Sequence, residues 1–349
     1  MEDKVQGAVD GTVNPLAIKM EKEAHVMYFL RHIRQLPEPY ARQDHHRVVL
    51  LFFCVQGLAL LGELDRVDKK AIIDFVYALQ VHPDSRDKSI NAADCGFRGS
   101  TWLGNAYFKG PREYESTTYD TAHIASTYAA LSILRTLGDN FSRVNKPAIV
   151  QALKALQNPV TGGFMASSLG TEEDMRFVYC ACAISYMLGD WSGVDCDGVV
   201  RFVNACATYE GGFGSYPGLE AQGGVTYCGL ASLVLCGRLV QATFDLSLLQ
   251  HWLLMRQQQG FQGRTNKQPD VCYAFWDGAS LHLLGLHGLV DVSTCERFVL
   301  SCQHKHGGIA KYATVYPDVL HSYYGLAWLS IAGVGPGLKS LDVKLQLPL

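Results

Sequence analysis

Apolar positions along this chain recur with the spacing of α-helices. An apolar face marks residues 21–36, and two prolines follow it closely. Residues 47–61 are apolar almost without interruption, and residues 67–79 again show a helical period. Strand signals are weak along the whole sequence. The pattern therefore predicts an all-α protein whose first three helices occupy these ranges.

From residue 96 onward a single unit recurs. A glycine turn leads through a polar loop into an apolar helix, which carries an aromatic residue and ends at another glycine before a second helix. The last four turns begin 49, 48 and 48 residues apart, and the longer first spacing of 67 residues indicates an insertion over 104–119. The turns are Gly96-Phe97, Gly163-Phe164, Gly212-Phe213, Gly260-Phe261 and Gly308-Ile309. The aromatic positions are Tyr128, Tyr179, Tyr227, Tyr273 and Tyr323, and the closing glycines are Gly138, Gly189, Gly237, Gly285 and Gly333. The second helices are expected over 146–156, 199–207, 246–256 and 294–302.

These helical pairs predict a closed ring. Units of fixed period stack side by side, and a helix that is apolar on every side has to be buried on every side. We therefore predict an α/α toroid, a double ring of helices built from repeats of about 48 residues, over residues 21–335. Residues 1–20 are expected to be flexible, and residues 336–349 to form a C-terminal tail. An open solenoid is the alternative arrangement.

A closed ring would gather its turns at one end. Its centre would then be a cavity lined by the aromatic residues of the inner helices. The cations expected at the rim of this cavity are Arg176, Arg264, Lys267 and Lys311.

Composition narrows the functional classes. The 349 residues carry a net charge of −3, which does not favour a nucleic-acid surface. Eleven cysteines, an odd number, lie mostly in apolar helical stretches, which favours reduced thiols over a disulfide framework. We find no secretory signal, and no apolar run approaches the roughly 20 residues of a membrane span. We accordingly expect a cytoplasmic protein with no membrane span.

The stretch 260–273 carries the strongest candidate chemistry. Arg264 and Lys267 lie in its loop, and Asp270 and Cys272 lie where the loop becomes helix. Helix N-termini attract anions, so a phosphate held by the two cations would lie beside a metal held by Asp270 and Cys272. That arrangement suits a reaction in which an anionic leaving group departs next to a metal-activated nucleophile. Taken singly, each residue also has an ordinary role, as a solvated cation, a helix N-cap or a core cysteine.

Two segments one repeat apart carry a family resemblance. Residues 269–276 read Pro-Asp-Val-Cys-Tyr-Ala-Phe-Trp, and residues 317–321 read Pro-Asp-Val-Leu-His. With the loop cations, they resemble the zinc site of protein prenyltransferase β subunits, and the resemblance extends over roughly residues 45–333. Within that family, Gly96-Phe97-Arg98-Gly99-Ser100 and residues 174–180 are most similar to the type I geranylgeranyltransferase β subunits.

The resemblance implies a zinc centre beside a diphosphate site. One zinc ion would be held by Asp270, Cys272 and His321, which leaves a fourth position open for the thiolate of a substrate cysteine. Arg264, Lys267 and Tyr273 would bind the diphosphate, and Lys311 would take up its charge without a need for magnesium. The neighbouring positions implied at the same site are Gln222, Gly223, Gly224, Thr265 and Asn266.

The resemblance also implies where the lipid and the protein substrate lie. The isoprenoid would follow Tyr179 and Trp276, with Arg176 near the cavity floor. The positions that flank this path are Val49, Ala274, Phe275 and Tyr324. Phe53 and Leu320 match positions that contact the last residue of the protein substrate.

Three positions bear on how closely the chain follows the type I pattern. Gln222 stands where the family usually has a histidine that contacts diphosphate, so this contact is uncharged here. Val49 is a small residue where farnesyl-transferring enzymes have a tryptophan that shortens the cavity, which favours a C20 donor. Tyr324 is instead the bulkier, farnesyl-type residue where the type I enzymes have phenylalanine. Valine and tryptophan differ in size more than tyrosine and phenylalanine do, so Val49 outweighs Tyr324 and we expect a preference for the C20 donor.

The resemblance therefore implies the catalytic β subunit of a protein geranylgeranyltransferase type I. Such an enzyme pairs with an α subunit shared with farnesyltransferase and moves a C20 group from geranylgeranyl diphosphate to the cysteine of C-terminal CaaX proteins, such as Rho-type small GTPases. Farnesyltransferase and Rab geranylgeranyltransferase β subunits are the nearest alternatives. A toroidal binding module without catalysis is the non-enzyme alternative. A terpene cyclase would need an Asp-x-Asp-Asp motif, which we do not find.

Overall fold

The computed structural model describes residues 18–102, 104–105 and 113–349. Within these residues the chain forms twelve α-helices, four 3-10 helices and six strands of two residues each. The α-helices are α1 Lys22–Arg34, α2 Arg47–Leu60, α3 Lys69–Ala78, α4 Ile124–Thr136, α5 Lys146–Leu156, α6 Met175–Leu188, α7 Cys196–Ala205, α8 Gly223–Leu235, α9 Leu246–Leu254, α10 Val271–Leu283, α11 Val292–Ser301 and α12 Val319–Ile331. The 3-10 helices are Glu38–His46, Leu64–Arg66, Leu239–Gln241 and His287–Leu289. The strands are β1 Gln80–Val81, β2 Gly96–Phe97, β3 Ile309–Ala310, β4 Pro317–Asp318, β5 Leu341–Asp342 and β6 Leu347–Pro348, and each pairs antiparallel with its neighbour in this order.

The helices predicted from the apolar pattern begin and end within three residues of their expected positions. Residues 1–17 of the flexible segment, and residues 106–112 of the insertion, lie outside the described residues. No helix in the described part of the chain is long and apolar enough to cross a membrane.

The even-numbered helices form a closed inner ring. Each of them packs against the next, and α12 returns to pack against α2. The odd-numbered helices pack outside them, for example α1 on α2 and α9 on α10. The predicted α/α toroid is therefore confirmed, because an open solenoid would leave α2 and α12 apart.

The composition of the inner helices explains their position. Within α6, the run Ala181 to Ile184 is completely buried, and small side chains there let the neighbouring helices approach. The helix ends at Gly189, whose left-handed φ of 69° terminates the hydrogen-bond ladder. Asp174 begins it by accepting a hydrogen bond from the N–H of Arg176. The same cap chemistry begins α10 and α12, which carry the candidate site.

One predicted aromatic position is wrong in register. Tyr128 is the fifth residue of α4, as Tyr227 is of α8, but the fifth residue of α10 is Phe275 rather than Tyr273. The ring of Phe275 lies 5.6 Å from that of Tyr227, whereas Tyr273 packs on the preceding loop. The glycine-turn spacing agrees with this register, because Gly260 precedes Phe275 by the same number of residues as Gly212 precedes Tyr227.

The C-terminal residues lie inside the ring. Val343, Leu345 and Leu347 are buried, and β6 packs against α2 and α4. The hydroxyl groups of inner-helix tyrosines donate to the tail backbone, for example Tyr227 to the carbonyl of Val343 at 2.7 Å. Polar tail backbone is thereby satisfied in the centre of the protein, as a buried segment requires.

Candidate metal centre and adjoining anion site

Two helix N-termini position the candidate metal ligands. Asp270 precedes α10, and its Oδ1 accepts a hydrogen bond from the N–H of Cys272 at 3.0 Å. Asp318 precedes α12 in the same way and accepts from the N–H of His321 at 2.9 Å. Because the two helices are adjacent in the inner ring, both caps face the same point. The repeat geometry thus brings together side chains that are as far as 51 residues apart in the sequence.

The three ligand candidates meet at this point. One carboxylate oxygen of Asp270, the Sγ of Cys272 and a ring nitrogen of His321 all lie within 4.8 Å of one another. Nε2 of His321 faces Oδ1 of Asp270 at 3.2 Å, and its Nδ1 lies 2.6 Å from Oδ2 of Asp318. One oxygen, one sulfur and one nitrogen suit tetrahedral Zn²⁺ with an open fourth position. A carboxylate behind the imidazole also orients it for a metal, so the donor set fits zinc.

The electrostatics of the trio couple metal binding to proton release. Burial by itself would lower the pKa of His321, but hydrogen bonds with Asp270 and Asp318 raise it to about 9. Burial would raise the pKa of Asp270, and its hydrogen bonds with His321 and Cys272 hold it below the usual value. Burial raises the pKa of the Cys272 thiol well above its ordinary value. A metal ion has to displace the imidazole and thiol protons, so its affinity should rise with pH.

The loop 260–268 is held tightly beside the trio. The N–H of Gly223, at the start of α8, donates to the carbonyl of Gly263 at 2.8 Å. A Cβ on Gly263 would lie 2.1 Å from the ring of Tyr273, so no larger residue fits there. This close approach anchors the loop to both α8 and α10. The ring of Tyr273 therefore packs directly on the loop that carries Arg264 and Lys267.

Side chains fix the rest of the loop. The guanidinium of Arg256 donates to Oγ1 of Thr265 at 2.9 Å, and that hydroxyl donates to Glu210 at 2.9 Å. Asn266 adopts a left-handed φ of 62°, which asparagine tolerates better than most residues. Thr265 and Asn266 thus shape the loop, and its exposed cations are Arg264 and Lys267.

The three predicted anion-binding cations differ in their contacts. Arg264 pairs with Glu220 at 3.0 Å, and Lys311 pairs with Asp270 at 3.2 Å. Lys267 is exposed, and its backbone carbonyl accepts from Gln262 at 2.7 Å. Two of the cations are therefore paired with carboxylates. An incoming anion would compete with Glu220 and Asp270 for these cations, and a metal would compete with Lys311 for Asp270.

The N-terminus of α8 adjoins these cations. Gln222 begins this helix without a side-chain cap, whereas α6, α10 and α12 are each capped by aspartate. Uncapped N–H groups of a first turn attract anions. A Cβ on Gly224 would make ordinary van der Waals contact with the Gln222 side chain and the Trp276 ring. The Gln222-Gly223-Gly224 segment is linked through Gly223 to the loop that carries Arg264 and Lys267.

A cavity of about 1160 Å³ opens at the N-terminal ends of the inner helices. His321 belongs both to this cavity and to the metal centre. The other predicted site residues that line it are Val49, Phe53, Arg176 and Leu320. The predicted lipid-end and peptide-end residues therefore share one space with a metal ligand.

The remaining predicted lipid residues lie deeper than the cavity lining. Tyr179 and Tyr324 are only 3% and 4% exposed, and Ala274 and Phe275 are fully buried between helices. Trp276 is half-buried and packs on Tyr324, with ring centroids 4.3 Å apart. These aromatic residues form the layer beneath the cavity rather than its surface.

Several residues of the candidate site were not predicted from the sequence. Asp318 orients His321, and its place in Pro317-Asp318-Val319 repeats the phase of Asp270 and could have revealed it. His46 and His123 also line the cavity. They immediately precede α2 and α4, in segments that carry no recognisable ligand motif, so no sequence signal pointed to them.

A buried carboxyl group lies beneath the anion site. Both oxygens of Asp277 on α10 are buried without a hydrogen-bond partner in the described structure. Its Oδ1 would lie 2.1 Å from a Cβ on Gly223, so only glycine leaves room for it at the start of α8. Burial raises the pKa of Asp277 well above 3.8, and the nearby Arg256 opposes this only in part.

We expect Asp277→Asn to stabilise the protein, and more strongly at high pH. In the unfolded chain Asp277 ionises above pH 3.8, whereas the folded protein keeps its proton. Stability is therefore lost as pH rises from 3.8 towards the folded pKa, and asparagine removes that loss. Thermal unfolding at pH 5 and pH 8 should show a gain of roughly 1 kcal/mol or more at the higher pH.

The control for this variant is Asp197→Asn, whose carboxylate is 75% exposed. It should change stability little at either pH. If Asp277→Asn raised the free energy of unfolding equally at the two pH values, the explanation by a buried, protonated carboxyl group would be contradicted.

Comparisons with known proteins agree with this geometry. Residues 20–347 match the prenyltransferase alpha-alpha toroid domain family. Geranylgeranyl transferase type-1 β subunits from Arabidopsis thaliana and Dictyostelium discoideum are each 40% identical over 94% of this chain, covering 89% and 95% of their own lengths. A Candida albicans protein geranylgeranyltransferase-I complexed with GGPP has the same fold, with a TM-score of 0.81 at 24% identity over 95% of this chain and 96% of its own. The chain thus belongs to the prenyltransferase α/α-toroid family, among the type-1 geranylgeranyl transferase β subunits.

Proposed function

We propose that this chain is the catalytic β subunit of a zinc-dependent protein geranylgeranyltransferase type I. The observation that carries the proposal is the convergence of Asp270, Cys272 and His321 within 4.8 Å, with His321 also lining the cavity. Lys311 pairs with Asp270 there, and the loop that carries Arg264 and Lys267 is hydrogen-bonded to the uncapped N-terminus of α8. A metal site and an anion site that share one edge suit the joining of a thiol to a lipid that leaves diphosphate behind.

The metal trio would prepare the protein substrate. When bound, zinc would keep a substrate cysteine as its thiolate near neutral pH. Asp318 holds the imidazole of His321 in place through Nδ1, which leaves Nε2 facing the site. Leu320, next to His321, lines the cavity and would contact the end of a CaaX peptide together with Phe53.

The anion site would receive the diphosphate of geranylgeranyl diphosphate. Arg264 would exchange Glu220 for a diphosphate oxygen, and Lys311 would turn from Asp270 to the same anion. Lys267 is exposed and adds a third positive charge. These charges stabilise the negative charge that grows on the departing group. Gln222 offers a neutral hydrogen bond where many relatives would place a histidine.

The lipid chain would run from the anion site into the cavity. Trp276 lies at the edge of that path, and Arg176, Val49 and Phe53 lie on the cavity wall. Tyr179 and Tyr324 would support it from below. A lining of aromatic and aliphatic groups suits a long unsaturated hydrocarbon.

The proposal includes a partner and a compartment. The named relatives are β subunits, so we propose a heterodimer with the α subunit shared with farnesyltransferase, acting in the cytoplasm. The direct test is co-expression with that α subunit, followed by transfer assays with C20 and C15 diphosphates and a peptide that ends in Cys-a-a-Leu. Transfer of the C20 group supports the proposal. Preferred transfer of the C15 group would favour a farnesyltransferase, and zinc-free protein without transfer would favour a toroidal binding module.

We expect transfer to proceed without added magnesium, because Lys311 supplies the charge that a second metal would provide. Lys311→Asp should lower kcat by about a hundredfold in magnesium-free buffer, and millimolar magnesium should restore much of it. The measurement is kcat as a function of magnesium concentration for both proteins.

Lys305→Asp is the matched control, because Lys305 is exposed on the same segment and forms no part of the site. It should leave kcat and its magnesium response unchanged. A wild-type enzyme that already depends on millimolar magnesium would show that Lys311 lacks this role.

A further inference from the structure

The C-terminal tail is held by a ladder of tyrosine hydroxyl groups inside the ring. Four successive tail carbonyls, those of residues 343–346, each accept a hydrogen bond from a tyrosine on a different inner helix. The donors are Tyr227, Tyr179, Tyr128 and Tyr323, at 2.7, 3.2, 2.8 and 2.5 Å in that order. These helices are α8, α6, α4 and α12, so the tail is fixed from most of the ring.

Gln346 is the most constrained residue of this ladder. It is 2% exposed and adopts a left-handed φ of 60°, which costs energy for a residue with a side chain. Its backbone carbonyl accepts from Tyr323, and its side-chain Oε1 accepts from the hydroxyl of Tyr324 at 3.0 Å. A strained backbone held by several independent contacts is commonly found where function requires it.

Tyr324 links Gln346 to the residues of the cavity wall. Its ring lies 4.3 Å from that of Trp276 and 5.7 Å from that of Phe53, measured between centroids. Phe53 and Val49 both line the cavity. The hydroxyl of Tyr324 points the other way, into the tail, where Gln346 is its hydrogen-bond partner. The tail therefore determines where the Tyr324 side chain beneath the cavity can lie.

We infer that Gln346 is a positioning residue for the choice of lipid length, because it holds the hydroxyl of Tyr324 away from the cavity. This inference rests on the proposed function and explains how a tyrosine at position 324 remains compatible with a C20 donor. The hydroxyl adds bulk and polarity, but the tail binds both outside the lipid path.

Loss of the Gln346 side-chain oxygen would change the preference between the C20 and C15 donors in a defined direction. A buried phenol hydroxyl without a partner costs free energy, so Tyr324 would shift towards the hydrated cavity. The shifted ring would occupy space beside Phe53 and Val49. Because a longer chain needs more of that space, the C20 donor would lose more binding than the C15 donor.

The test is a double-mutant cycle in the α–β heterodimer. Gln346→Leu should lower the ratio of kcat/KM for the C20 donor to that for the C15 donor by about tenfold, chiefly through the KM of the C20 donor. Tyr324→Phe alone should change the ratio little, since its ring has no hydroxyl to satisfy. The double variant Gln346→Leu with Tyr324→Phe should recover the wild-type ratio.

Two further variants separate specificity from folding. Gln346→Gly suits the left-handed backbone and also removes the acceptor, so it should reproduce the change in ratio even if leucine impairs folding. Tyr128→Phe removes a different rung of the ladder and should lower the thermal unfolding temperature without changing the donor ratio.

An unchanged donor ratio in both Gln346 variants would overturn the inference and leave the tail a purely structural element. Failure of Tyr324→Phe to restore the ratio would also overturn it, because the effect would then not pass through Tyr324. A wild-type heterodimer that transfers neither lipid would instead refute the proposed function.

Discussion

Cys272→Ala and His321→Ala are each expected to abolish stoichiometric zinc binding and to reduce prenyl transfer by more than about a hundredfold. Loss of a residue that merely orients a ligand typically reduces metal affinity or activity by 10- to 100-fold, and loss of the ligand itself should exceed that. The fold should survive, because Cys272 and His321 lie at the rim of a ring whose buried core is extensive. Metal analysis of the purified heterodimer, together with transfer assays, measures both effects.

Two other variants make the zinc result specific. Asp318→Asn removes the carboxylate that holds Nδ1 of His321 and should weaken zinc binding to a smaller degree than loss of the imidazole. Cys295→Ala removes a buried thiol from the outer helix α11 that is not one of the three candidate ligands, and should leave zinc content and transfer intact. Full zinc occupancy in both ligand variants would refute the assignment of the metal centre.

Val49→Trp is expected to turn the enzyme from a C20 towards a C15 donor. Val49 is partly exposed on the cavity wall, so an indole there would fill space that the distal isoprene of the longer donor needs. Even one methylene changes discrimination by roughly 10- to 200-fold, so the ratio of kcat/KM for the two donors should shift by about a hundredfold. The measurement uses both diphosphates with one Cys-a-a-Leu peptide.

Val160→Trp provides the matched control, because Val160 is 81% exposed on an outer loop. It introduces the same side chain away from the cavity and should not alter donor preference. A wild-type preference for the C15 donor, or an unchanged ratio in Val49→Trp, would show that the cavity end lies elsewhere.

The local structure around the zinc candidates was predictable because the sequence encodes it locally. Asp270 caps the helix that carries Cys272, and repeat spacing places His321 one unit later on the adjacent inner helix. In the structure Oδ1 of Asp270 both accepts the capping hydrogen bond from Cys272 and faces Nε2 of His321. Capping and ligation therefore follow from the same short motif.

The positions of the proposed lipid-binding residues were less predictable. Val49, Phe53 and Arg176 line the cavity as their motifs indicate, whereas Phe275 and Tyr324 are buried beneath it. A motif indicates that a residue is near a site, but the rotation of its helix decides whether the side chain faces the cavity or the neighbouring helix.

The sequence by itself determined the helices, their pairing and their repeat, because helix periodicity, aspartate caps and left-handed glycines act within a few residues. Only the tertiary structure revealed that the tail fills the ring, that Asp277 is buried against Gly223, and that Gln346 binds Tyr324. The tail belongs to no repeat, and its partners come from helices as far as 217 residues away. Such contacts depend on the closure of the whole ring, which brings together groups that no local pattern relates.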